Sequence, residues 1–159
     1  MFKEFATGLF ITSALALSIL SPSAQAAVDE SCRIIGGVGM PNLVPQSDGT
    51  ITIVAPLSGS VATAAGKITG QRETATGLEM DMEHYFMTED GGFMHTKDLG
   101  VLTKIVGKEG QYMIEITYDI QEATSSGSLK GYSGTFNSYG LMDVAQLEGL
   151  IRYNGEICR

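Results

Sequence analysis

Residues 77–98 read "GLEMDMEHYFMTEDGGFMHTKD", and their periodicity decides the fold class. Leu78, Met80, Met82, His84 and Phe86 fall on one face, with Glu79, Asp81, Glu83 and Tyr85 on the other. Alternation of apolar and charged positions marks a strand buried on one side and solvated on the other, hence an antiparallel sheet. Asp90-Gly91 supplies the hairpin signal, because a two-residue type I′ turn needs positive φ at both central positions. About such a turn Met87 is expected opposite Met94, Phe86 opposite His95, and His84 opposite Lys97. Directly opposed residues share a face. His84, Phe86, His95 and Lys97 are therefore expected together with Met80 and Met82, while Met87 meets Met94 on the other side.

The same period recurs outward from this hairpin. "TITIVAPL" (50–57) aligns Ile51, Ile53, Ala55 and Leu57; "QYMIEITYDIQE" (111–122) aligns Tyr112, Ile114, Ile116, Tyr118 and Ile120. Brief glycine-rich breaks such as "SGS", "GKEG" and "SSGS" separate the runs, and no sustained 3.6-residue apolar period appears. "GLMDVAQLEG" (140–149) is the one candidate for a helical turn. About eight strands are expected, near 33–38, 50–57, 61–70, 76–88, 93–106, 111–122, 127–137 and 147–157. The reading is all-β: a single antiparallel eight-stranded barrel over 50–159, with 27–49 an irregular lead-in and a β-sandwich as second choice. A barrel of that size is either filled by side chains or holds one small ligand.

The first residues, "MFKEFATGLFITSALALSILSPSAQA" (1–26), combine a charged start, a short apolar run and an Ala24-Gln25-Ala26 site. That pattern is expected to be a secretory signal cleaved after Ala26, which places the protein in the periplasm or outside the cell. The apolar run is short of the roughly 20 residues that span a bilayer, so no membrane anchor is expected. Cys32 and Cys158, the two cysteines of the chain, are expected to form a disulfide in an oxidising compartment; free reactive thiols are the rival reading. A formal net charge of −8, with scattered basic residues, argues against nucleic acid as a partner.

"GSLKGYSGTFNSYGLMDVAQLEGLIRYNGEIC" (127–158) contains Gly131-Tyr132-Ser133-Gly134-Thr135-Phe136 and a final strand framed by Gly149 and Gly155. With "GKITG" (66–70) and the long central hairpin, this glycine spacing and strand order resembles the allene oxide cyclase and dirigent barrel superfamily. The resemblance implies an eight-stranded barrel whose apolar cavity steers small molecules, often within a homo-oligomer. No catalytic residue set carries over. The absence of tryptophan removes the signatures of lipocalins and avidin-like barrels.

Three readings of the methionine and histidine cluster follow. One is ordinary packing, with methionine filling awkward space. Another is a copper site, for which His84, His95 and Met82 are the ligand types available. The third is a mostly apolar ligand pocket lined by Met80, Met82, His84, Phe86, His95, Tyr112 and Tyr118. The leading expectation is a binder of an apolar or aromatic small molecule, with no cofactor or metal. A cyclase- or isomerase-like enzyme using the same cavity, and an interaction module with a packed barrel, are the alternatives. No G-x-S-x-G elbow or phosphate loop is present.

Overall fold

The computed structural model describes residues 31–159; the segment read as a signal, with its cleavage after Ala26, lies outside them. The described strands are β1 (Cys32–Gly39), β2 (Asn42–Pro45), β3 (Ile51–Gly59), β4 (Thr63–Glu73), β5 (Gly77–Met87), β6 (Phe93–Lys104), β7 (Gln111–Ile120), β8 (Thr135–Asp143) and β9 (Glu148–Cys158). Each is antiparallel to its neighbours. β1 and β2 keep one register against both flanking strands: Gly39 faces Ile151 and Leu57, and Asn42 faces Glu148 and Val54. They are two halves of one barrel strand, broken at Met40-Pro41, where proline has no N–H for the ladder. The segments thus fill eight positions in chain order, and β9 pairs with β1 to close an up-and-down barrel. Closure leaves no sheet edge exposed.

The eight-stranded antiparallel barrel is the expected fold, but its limits shift. The lead-in assigned to 27–49 contains β1 and β2, so the barrel begins at Cys32 rather than at residue 50. Its alternation is hard to see in sequence because the inward positions include Gly37 and Gly39, which carry no side chain. Of the strand expected at 127–137 only the end forms, from Thr135, as the start of β8. Residues Glu122–Thr124 and Gly127–Leu129 are 3-10 turns, and Gly127, Gly131 and Gly134 take positive φ, a conformation strands do not use. "GLMDVAQLEG" is likewise no helix: β8 runs through Asp143, whose carboxylate accepts from the Ala145 and Gln146 N–H groups to shape a tight turn into β9.

The two ends of the barrel differ. At one, residues 121–134 fold over the opening, and their Leu129 and Tyr132 join the core. Reciprocal Phe93–Ser126 backbone bonds clip this cover to β6. The Cys32–Cys158 disulfide ties β1 to β9 at the same end. Tyr153 reaches from β9 to donate to the Ser58 carbonyl and accept from the Val61 N–H, pinning the β3–β4 turn. Beneath the cover Phe86, Tyr118 and Phe136 stack within 5.4 Å of one another. The opposite end carries only the short connections 46–50, 74–76, 105–110 and 144–147. There the inward residues Leu43, Ile51, Leu78, Tyr112 and Val144 are only half-buried.

Candidate functional site

The geometry of the site turns on one residue of hairpin length. β5 and β6 pair with Met87 opposite Phe93, Phe86 opposite Met94, Tyr85 opposite His95 and His84 opposite Thr96. The loop is therefore Glu89-Asp90-Gly91 rather than a two-residue turn. The Gly91 N–H donates to Thr88 O, Gly91 takes φ of 82°, and Asp90 stays at negative φ. This is a type I turn followed by a left-handed glycine, the common three-residue hairpin loop. Asp90 is held by Thr88 and by the Ser128 hydroxyl of the barrel cover, which stabilises the longer loop.

A shift of one residue exchanges the two faces of the following strand. Met94, Thr96, Asp98, Gly100 and Leu102 consequently point inward and are buried, whereas His95 and Lys97 are on the outer face. His95 is removed from the expected pocket. Its ring stacks on Tyr85 at 4.8 Å and its Nδ1 pairs with the Thr124 hydroxyl. Met94 is inside and Met87 outside, so they do not meet. The metal set also dissolves, because His84 and His95 lie on opposite sides of the barrel wall. Among the described residues no group of three or more His, Cys, Asp or Glu side chains could hold a metal ion.

A cavity of about 280 Å³ occupies the lumen, at the lower edge of the roughly 300–1,000 Å³ common for small-molecule pockets. Of the expected residues Met80, Met82, His84, Phe86 and Tyr118 line it. Tyr112 does not: it sits farther toward the open end, half-buried against the core. The walls are completed by residues from strands distant in sequence, notably Ile53, Ala64, Leu102 and Ile151, while Leu43, Leu78 and Val144 frame the open end. Polar lining is confined to Gln71 near that mouth and to His84 and Tyr118 at the covered end.

The inward turn of β6 assembles a pair that the sequence reading had not brought together. His84 Nδ1 lies 2.6 Å from Asp98 Oδ2, with both side chains almost wholly buried. An ionised carboxylate only accepts, so it selects the Nδ1–H tautomer and leaves Nε2 as the acceptor of the neutral ring. No other group of the described residues bonds Nε2. The ring owes its position to Gly66, its cross-strand partner, because a Cβ there would lie 2.6 Å from His84 Cδ2. Asp98 Oδ1 and Thr96 Oγ1 are buried without hydrogen-bond partners. Leaving such groups unpaired costs stability. The available signal for Asp98 was its place at even spacing from Thr96 and Leu102, but reading it required the correct loop length.

Tyr118 packs edge-on to His84 at 5.5 Å, and its hydroxyl pairs with Ser138 at 3.0 Å. Burial pushes its phenol well above the ordinary tyrosine range; Asp98 adds to the rise and the Ser138 bond partly opposes it. The fold therefore retains a proton that unfolded chain releases above pH about 10. Stability from this group is complete below that pH and is lost as pH rises further. Tyr118→Phe is expected to cost about 1 kcal/mol at neutral pH, yet to make the alkaline loss shallower. Urea unfolding at several pH values on both sides of the tyrosine range checks both signs. No protein-family model, curated protein or solved structure matches this chain.

Proposed function

We propose that this is an exported binding protein whose barrel lumen holds an apolar or aromatic small molecule without covalent chemistry. One observation carries the reading: an apolar cavity, covered at one end and framed by half-buried side chains at the other, with its few polar groups placed at the two extremes. Ligand sites are built in this way, with apolar walls for affinity and sparse polar groups for orientation. Export is supported by the signal-like N-terminus and by a disulfide of the kind that persists in oxidising compartments. The likeness to the allene oxide cyclase and dirigent barrels belongs to the same proposal, since that superfamily steers small molecules in a barrel cavity. A module with a solidly packed interior fits the cavity less well.

Ala64 lines the lumen opposite Ala55 and Phe86, so Ala64→Phe places a ring inside it. The wild-type protein is expected to bind naphthalene, followed by ligand fluorescence, and Ala64→Phe to weaken binding at least about tenfold with an unchanged far-ultraviolet spectrum. Equal affinity in the two proteins would remove the lumen from consideration. The His84–Asp98 pair favours a second reading, a cyclase- or isomerase-like enzyme in which His84 Nε2 moves a proton. Exchange of solvent deuterium into a bound ligand, lost in His84→Phe, separates it from simple binding.

A further inference from the structure

We infer that the lumen selects a neutral apolar molecule of about bicyclic size bearing one hydroxyl group (a phenol, alcohol or enol), which donates to His84 Nε2. This rests on the reading of the lumen as a ligand site and adds the chemistry of the ligand. Four observations lead to it. Asp98 occupies Nδ1, so the nitrogen that the neutral ring leaves to the ligand is an acceptor. Tyr118, the other polar group at the covered end, has its hydroxyl engaged by Ser138. No lysine, arginine, aspartate or glutamate is among the residues lining the cavity. A carboxylate or ammonium headgroup would therefore be desolvated without a counter-charge, a cost that excludes fatty acids and amines more strongly than alcohols. Finally, an apolar cavity of about 150 Å³ is known to take benzene, so about 280 Å³ suits two fused rings.

The hydrogen bond has consequences beyond affinity. A ligand hydroxyl on Nε2 would complete a chain from the ligand through the imidazole to Asp98, each member polarising the next. It would also fix which end of the ligand enters first, because the walls between His84 and the mouth are apolar. Selection therefore acts on the leading group and leaves the trailing body to be chosen by shape.

The test uses the purified full-length protein and a matched set of probes: 2-naphthol, 2-methoxynaphthalene, 2-naphthoate and naphthalene, each titrated by calorimetry. 2-Naphthol is expected to bind on the order of tenfold more tightly than 2-methoxynaphthalene, which keeps the shape but cannot donate. 2-Naphthoate is expected to bind most weakly. In His84→Phe/Asp98→Leu, which exchanges the polar pair for apolar side chains of similar branching, the preference for 2-naphthol should vanish while naphthalene still binds. The wild-type comparison needs no variant to fold. Equal binding of 2-naphthol and 2-methoxynaphthalene would overturn the hydroxyl assignment and leave the lumen reading intact, as would tightest binding of 2-naphthoate. Failure of every probe, naphthalene included, would overturn both.

Discussion

Reduction of the Cys32–Cys158 bond is expected to lower the stability of the folded protein by about 3–5 kcal/mol. The two cysteines are opposed at the first register position of the β1–β9 seam and are separated by 126 residues. Cross-linking so long a loop removes chain entropy from the unfolded state worth about 5 kcal/mol, an upper figure because unfolded chains keep some structure. The position magnifies the effect. β1–β9 is the pairing between the two ends of the described chain, so its loss converts a closed barrel into an open sheet with two free edges. Thermal unfolding of Cys32→Ser/Cys158→Ser should fall by about 12–20 °C, at roughly 4 °C per kcal/mol for a domain of this size. Hydrogen exchange should accelerate first along β1 and β9 and last in β5–β6. Uniform acceleration with an unchanged melting temperature would show that the seam does not depend on the bond.

The second large effect belongs to Gly66. This residue opposes His84 across β4–β5; a Cβ would stand 2.6 Å from the His84 ring and 2.7 Å from the Glu83 carbonyl oxygen. The ring is locked on its other side by Asp98, and the carbonyl belongs to the sheet, so neither yields cheaply. Gly66→Val is expected to cost about 3 kcal/mol through overpacking and to drive the imidazole out of line with Asp98. Ligand affinity should fall with it. The milder Gly66→Ala allows a coupling measurement: in a His84→Ala background its cost should shrink by about 1 kcal/mol or more, because the ring it strikes is gone. Additive costs would mean that the Glu83 backbone, not the histidine, is why glycine is required.

Both predictions concern contacts that sequence reading approached with unequal success. The disulfide was legible because the chain has two cysteines, so each has one possible partner. β5 and β7 were legible because Met80, Met82, Ile114, Ile116 and Tyr118 alternate with Glu79, Asp81, Glu115 and Asp119, and burial follows that alternation. β1 was legible as a strand near 33–38, but its inward glycines hid that it belongs to the barrel. The stretch 127–137 was misread as one strand because its glycines carry no side chain to reveal their conformation, whereas all three, Gly127, Gly131 and Gly134, take positive φ in the segment covering the barrel end. Five of the seven expected pocket residues reach the cavity; His95 and Tyr112 do not.

Local alternation and turn chemistry by themselves determined that the chain forms antiparallel strands, and strand number and length favoured a barrel over a sandwich; the β1–β9 pairing decides the closure. They did not determine which side of β6 faces the lumen. One face of that strand offers Met94, Thr96, Asp98 and Leu102, the other Phe93, His95, Lys97 and Val101, so apolar content barely distinguishes them. Only contacts made after folding decide: Asp98 with His84, Thr96 with Ile120, Phe93 with Ser126. Because side chains alternate with a period of two, the single extra residue in the loop exchanges every position of the strand. It carries His95 out to the surface and brings Asp98 in beneath His84.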